Sequence, residues 1–196
     1  MDNNSGNSST QDRKNLLELC LSDLDKERIG YIVGDREFIG HSWIKYLKYK
    51  GIRFVMRVPK HHTITRPDGT VTKIGELKLK VDKSLILKNC LIDSVVAHVW
   101  IKLLETGDLL FLIGTVNAEF MGQLYRKRWT IETVFQSFKG RGFNLESTHL
   151  QSIAKLKKLI ACISIAYGLC GSLGIHYHPK VQNIKIKKHG YKAISF

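Results

Sequence analysis

The chain opens on a polar stretch, Asp2 to Thr10, and then sets Leu16, Leu17, Leu19, Cys20, Leu21 and Leu24 at helical spacing. This predicts an amphipathic helix over Gln11 to about Asp23, with Ser9 or Thr10 as its cap. Ile29, Tyr31, Ile32 and Val33 form a short apolar run closed by Gly34, which predicts a buried strand ending just before Asp35. Residues Gly40 to Lys50 carry Trp43, Ile44, Tyr46, Leu47 and Tyr49, with Gly51 behind them, a helix stopped by a glycine. Ile52 to Val58 alternates and is β-branched, a second strand; two strands with a helix between them make a βαβ unit of a parallel sheet.

From Pro59 to Asn117 the pattern turns β-rich. Arg66 to Thr72 (RPDGTVT) is a turn with alternating flanks, and Lys78 to Val81, Ser94 to Leu103 and Leu109 to Val116 are predicted strands. After Asn117, residues Ala118 to Lys139 have helical periodicity, with Leu124, Ile131, Val134, Phe135 and Phe138 as the apolar stripe, and Leu150 to about Leu173 form another helix. The expected organisation is a partial core over 1–58, a β-rich insertion over 59–117 and C-terminal helices over 118–196.

Composition adds a partner. The 196 residues contain 31 Lys plus Arg against 17 Asp plus Glu, a net charge of +14, and such a surplus points to a polyanion, with nucleic acid ahead of a membrane surface. Cys20, Cys90, Cys162 and Cys170 show no CxxC pairing and are expected to be reduced, packed thiols. No secretory leader is expected in MDNNSGNSSTQDR. Leu159 to Ile175 has no charge over 17 residues and is expected to be a buried core helix rather than a membrane span.

The run LYRKRWTIETVFQSFKGRGFNLESTHL, residues 124–150, carries the chemistry. On an unbroken helix, Tyr125, Arg128, Glu132 and Lys139 would lie within about 60° of one another. An acid that holds a metal beside cations that hold phosphates fits that face, and so does an ordinary solvated helix face. Asp35, at the carboxyl end of the first strand, stands where open α/β sheets gather reactive groups, although a lone aspartate after a strand is more often a helix cap or turn residue. His61-His62 and His176-x-His178 lack the partners of a structural zinc site.

The spacing Tyr125, Arg128, Glu132, Lys139 matches the YREK signature of insertion-sequence transposases of the DDE class, the branch called insertion-sequence family four. GDREFIGHSWIKYLKYKGIRFVMRV resembles the block around that family's second catalytic aspartate, and RGFNLESTHL the segment after its glutamate. The resemblance implies an α/β, RNase H-like fold with a β-rich insertion between the second aspartate and the glutamate. It implies Mg²⁺-dependent DNA strand cleavage and transfer at transposon ends, with Asp35 and Glu132 as catalytic carboxylates and metal ligands in a two-metal site. Tyr125, Arg128 and Lys139 would bind DNA phosphates, and Trp129 would pack on DNA or in the core.

The match has a gap. The family's first aspartate belongs on an earlier strand, and Asp2, Asp12, Asp23 and Asp25 are not credible substitutes. The chain is therefore expected to be a truncated transposase fragment, ending early in AISF as well, that does not cut DNA alone. The alternative is a non-catalytic DNA-binding or dimerising remnant that interferes with intact transposase. The expected partners are DNA, transposon ends and target, and either a second copy or intact transposase, with no membrane. The expected location is the bacterial cytoplasm, at the nucleoid. Cations around the second strand (Lys48, Lys50, Arg53, Arg57, Lys60), in the insertion and near the end are expected to track the DNA backbone.

Overall fold

Ser9 begins the first helix in the computed structural model, which describes residues 8–77, 79, 84–177, 180 and 188. The Ser9 hydroxyl accepts from the Asp12 N–H at 3.1 Å, while the Asp12 carboxylate accepts from the Ser9 N–H at 2.9 Å, a capping box that satisfies two otherwise orphaned donors. Asp12 is thus occupied in starting α1, Thr10–Asp23. The helix α2, His41–Tyr49, buries Trp43, Ile44 and Leu47. The two helices are tied together where Glu18 accepts from the Tyr46 hydroxyl and pairs with Lys50 at 2.5 Å.

Burial, together with the Glu18 charge, pushes the Tyr46 phenol up to about 12, from 10.0. A folded-state value above the unfolded one contributes stability that is complete below the unfolded value and lost as pH rises towards the folded one. The parent chain should therefore lose more stability than Tyr46→Phe between pH 10 and pH 12. Denaturant melts of both proteins at the ends of that window check it; equal losses would remove Tyr46 as the cause.

The chain forms two compact units, Met1–Trp129 and Thr130–Phe196. In the first, a seven-stranded sheet runs in the order β1-β2-β7-β6-β5-β3-β4. Its strands are β1 Ile32–Gly34, β2 Phe54–Arg57, β3 Thr63–Thr65, β4 Val71–Lys73, β5 Leu85–Ile92, β6 Val95–Leu103 and β7 Leu109–Gly114. The expected βαβ unit is present, with β1 parallel to β2 in the register Ile32↔Phe54, Val33↔Val55, Gly34↔Met56. All other pairings are antiparallel, so the fold is mixed α/β with a mostly antiparallel sheet. β3 and β4 flank the predicted RPDGTVT turn, where the Arg66 N–H donates to the Thr70 carbonyl at 2.9 Å.

Strand alternation divides the core between two faces. Phe54, Met56, Phe111 and Ile113 pack with α1 and α2 residues such as Leu17, Ile44 and Leu47. Val55 and Leu112 face the other way, against Trp100, Met121 and Tyr125.

Several expectations are corrected. β5 was not predicted, because Lys88 and Asn89 interrupt its apolar pattern. There the register shifts between Leu87 and Cys90, Asn89 has φ 57, and the Asn89 N–H donates to His98 Nδ1 at 3.1 Å. The expected strand over Lys78 to Val81 falls largely outside the described residues. The expected single helix over 118–139 is interrupted: a 3₁₀ turn at Ala118–Phe120 leads into α3, Met121–Arg126, then a turn, then α4, Trp129–Gln136, and a π turn, Ser137–Arg141. Short bonds from the Lys127 N–H to the Leu124 carbonyl and from the Arg128 N–H to the Tyr125 carbonyl close α3. Ile131 and Phe135, placed on the buried stripe, are exposed.

The last helix among the described residues, α5, spans Ile153–Tyr177 and buries only Ile163, against the expectation of a buried core helix. It is long and apolar enough to cross a membrane, by length and composition only. Cys90 is the buried thiol; Cys20, Cys162 and Cys170 are exposed, correcting the expectation that all four are packed.

Candidate nucleic-acid interface

Asp35 follows the last residue of β1 and caps a single 3₁₀ turn, Arg36–Phe38, accepting from the Arg36 N–H at 2.7 Å. The plain capping role is therefore real, and the same carboxylate is also the centre of a charged cluster. The parallel register that sets Gly34 beside Met56 sets the next residues, Asp35 and Arg57, beside each other. Arg57 Nη1 lies 3.9 Å from Asp35 Oδ1. From the opposite layer, α3 brings Tyr125, whose hydroxyl donates to Asp35 Oδ1 at 3.5 Å, and the turn after it brings Arg128, with Nη1 3.9 Å from Asp35 Oδ2. The Arg128 guanidinium also lies 5.8 Å from the centre of the Tyr125 ring.

Tyr125 is buried. Its burial, and then the Asp35 charge, raise the phenol above its ordinary value, with Arg128 and Arg57 acting the other way. The hydroxyl thus keeps its proton at neutral pH and serves as a donor. Both guanidiniums stand about 1 Å farther from the carboxylate than a closed charge-assisted bond. Two guanidiniums and a neutral phenol donor surround one carboxylate in a half-buried setting, where charges are weakly screened. Such a cluster can grip a phosphate.

Glu132 and Lys139 belong to the second unit. They line a groove of about 620 Å³ with Phe135, Gln136, Gly140 and Glu146. The π turn shapes one side of it: the Ser137 hydroxyl donates to the Thr133 carbonyl at 3.0 Å, and the Phe143 N–H to the Ser137 carbonyl at 3.0 Å. Phe138 packs edge-on against Phe143 and Tyr167, at 6.0 and 5.8 Å. Lys139 pairs with Glu146 at 3.5 Å, both largely exposed. Trp129, last residue of the first unit, is 60% exposed, which excludes the core role weighed for it. The helical projection of Tyr125, Arg128, Glu132 and Lys139 assumed an unbroken helix, and the helix is interrupted after Arg126.

Of the sequence-derived residues, Asp35, Tyr125 and Arg128 are brought together. Arg57 completes the cluster and was visible in the sequence only as one cation among several near the second strand. Among the described residues no group of three or more His, Cys, Asp or Glu side chains could hold a metal ion. With two guanidiniums already on its carboxylate, Asp35 does not offer a ready-made metal site. His62 pairs with Asp93 at 3.4 Å, and His178 lies outside the described residues.

A cation-ringed acid and phenol on a mixed α/β unit suit a phosphate-bearing substrate. Residues 5–169 match the family model described as Transposase DDE domain, and the chain belongs to that family. Membership makes this a DNA-transposing class of enzyme, one that acts on DNA and generally uses a divalent metal. No curated protein matches the chain.

Proposed function

We propose that this chain carries part of the catalytic domain of an insertion-sequence transposase of the family-four type, on a partial RNase H-like fold with residues 59–117 as its insertion. Its task is to hold DNA phosphates at a transposon end. The convergence on Asp35 of Tyr125 and Arg128, which lie about ninety positions away, carries this reading. Arg57, Tyr125 and Arg128 grip phosphate oxygens, Arg being suited to a bidentate hold. Lys139 adds a further phosphate contact, and Trp129 packs on DNA.

Asp35 and Glu132 take the place of the family's second aspartate and its glutamate, the carboxylates through which Mg²⁺ would be held. The described residues do not make up that metal site by themselves, which favours binding over cleavage for this chain alone. Association with a second copy or with an intact transposase, in the cytoplasm, completes the reading. A non-catalytic DNA-binding remnant is the second reading, favoured by the same lack of an acid cluster.

The test separates binding from cutting. Without metal, in excess EDTA, the chain should still bind a duplex, and Asp35→Asn should bind it more tightly, because a carboxylate that repels phosphate has been removed. Weaker binding by Asp35→Asn would count against a phosphate clamp. With Mg²⁺ or Mn²⁺, no strand cleavage is expected; cleavage abolished by Glu132→Ala would overturn the binding-only assignment.

A further inference from the structure

We propose that Trp100 is a positioning residue for the Asp35 cluster: its indole, seated against Gly122, sets the height of α3 over the sheet and so brings Tyr125 and Arg128 within reach of Asp35. The proposal rests on the phosphate reading of that cluster and adds the device that aligns it. In the sheet order β1-β2-β7-β6, Asp35 follows β1, and Trp100 stands on β6, paired with Leu112 of β7. With strands about 4.8 Å apart, those two strands are about 14 Å from each other. Between them α3 touches β2 and β7, and Trp100 shares one core cluster with Val55, Leu112, Met121 and Tyr125. The helix is thus seated on β6 and delivers its functional groups to the end of β1.

Gly122 is where α3 comes closest to the indole. A Cβ there would lie 2.5 Å from Trp100 Cζ2 and 2.7 Å from Cη2, where ordinary contact begins at 3.4 Å. Alanine is the better helix former, so a glycine inside this helix is accounted for by the contact and not by helix propensity. Tyr125 lies about one turn further along α3, and Tyr125 is buried as Trp100 is.

The cluster has little slack for a shift of α3. The Tyr125 hydroxyl stands 3.5 Å from Asp35 Oδ1, at the outer limit of a hydrogen bond, and Arg128 Nη1 stands 3.9 Å from Asp35 Oδ2. The Arg128 N–H is bonded to the Tyr125 carbonyl at 2.9 Å, so the turn that carries Arg128 travels with the helix. Raising α3 far enough to admit a methyl group at Gly122 therefore withdraws both residues from the carboxylate. Arg57 belongs to β2 and stays beside Asp35, so the two halves of the cluster separate.

The experiment uses the full chain, a DNA duplex and Gly122→Ala. Two readouts are expected to move. The slope of log affinity against log salt should fall by about 0.9, one phosphate contact, since Arg128 is withdrawn and Arg57 is not. The Tyr125 phenol, held above its ordinary value by burial and then by Asp35, should titrate closer to that value, read by ultraviolet titration of each protein against its own Tyr125→Phe version. Adding Trp100→Phe makes room for the methyl group and should restore both readouts, a coupling that two independent losses of stability would not produce. Parent values of slope and titration in folded Gly122→Ala overturn the proposal, and so does a double variant no closer to the parent than Gly122→Ala. Should Gly122→Ala not fold, Trp100→Leu removes the seat from the strand side and is expected to lower both readouts; unchanged values there overturn the proposal as well. Arg128→Ala is the reference for the phosphate reading: if it leaves the salt slope unchanged, that reading fails, and the Tyr125 titration alone decides whether Trp100 positions the cluster.

Discussion

Replacing both Arg57 and Arg128 by alanine is expected to weaken duplex binding by about a hundredfold at physiological salt. Hydrogen bonds to charged groups contribute about 1.5 kcal/mol or more each, and two such losses make about two decades. The salt dependence gives the sharper signature. Each neutralised phosphate contributes about 0.9 to the slope of log affinity against log salt, so the double variant should flatten that slope by nearly two. Lys88→Ala is the comparison: Lys88 is exposed and already paired with Glu119 at 3.3 Å, so its removal should change the slope little. Both proteins need matching thermal melts, because the two arginines also compensate Asp35. A double variant whose slope moves no more than that of Lys88→Ala would remove the Asp35 cluster from the DNA interface and leave binding to the scattered lysines.

Where local pattern and tertiary structure agreed, the chain was legible. Ile29 to Gly34 is a short apolar run and Ile52 to Val58 an alternating, β-branched one, with a helix of period 3.6 between them, and parallel strands so joined take a right-handed crossover almost without exception; β1, α2 and β2 follow. β5 escaped because a bulge spends two polar residues, Lys88 and Asn89, inside a strand, and the His98 side chain that satisfies the Asn89 amide comes from the neighbouring strand. The periodicity from 118 to 139 ran straight through the turn at Lys127, since a short break shifts phase without removing apolar residues. α5 shows the limit of composition: a chargeless run predicts burial, and that helix buries one residue. At the site, motif spacing reached Tyr125 and Arg128, and strand ending reached Asp35. Arg57 depended on the register of β1 on β2, which a single strand's sequence does not encode.

That register makes one glycine the most sensitive point for fold and site together. Gly114 pairs with Val55, and a Cβ there would meet the Phe54 carbonyl oxygen at 2.6 Å and Val55 Cα at 3.4 Å, with Met121 Cε at 3.2 Å. The Met121 side chain can move, but the two nearest backbone atoms belong to β2 itself. The same Phe54 carbonyl accepts from the Thr115 N–H at 3.0 Å, and the Phe54 N–H donates to the Thr115 hydroxyl at 3.1 Å, so the strand cannot retreat without opening the β2–β7 seam. Gly114→Val is therefore expected to cost about 3 kcal/mol or more, the upper range for overpacking, read as a lower urea midpoint. Gly140→Ala, where an added Cβ meets nothing within 4 Å, serves as the comparison. Because β1 joins the sheet through β2, displacing β2 also displaces Asp35 from Tyr125, which α3 holds on the other side. Gly114→Val should then bind duplex DNA with the flattened salt slope of the arginine double variant even where it remains folded. A destabilised Gly114→Val protein that keeps the full slope would show that the cluster does not depend on the β2–β7 seam.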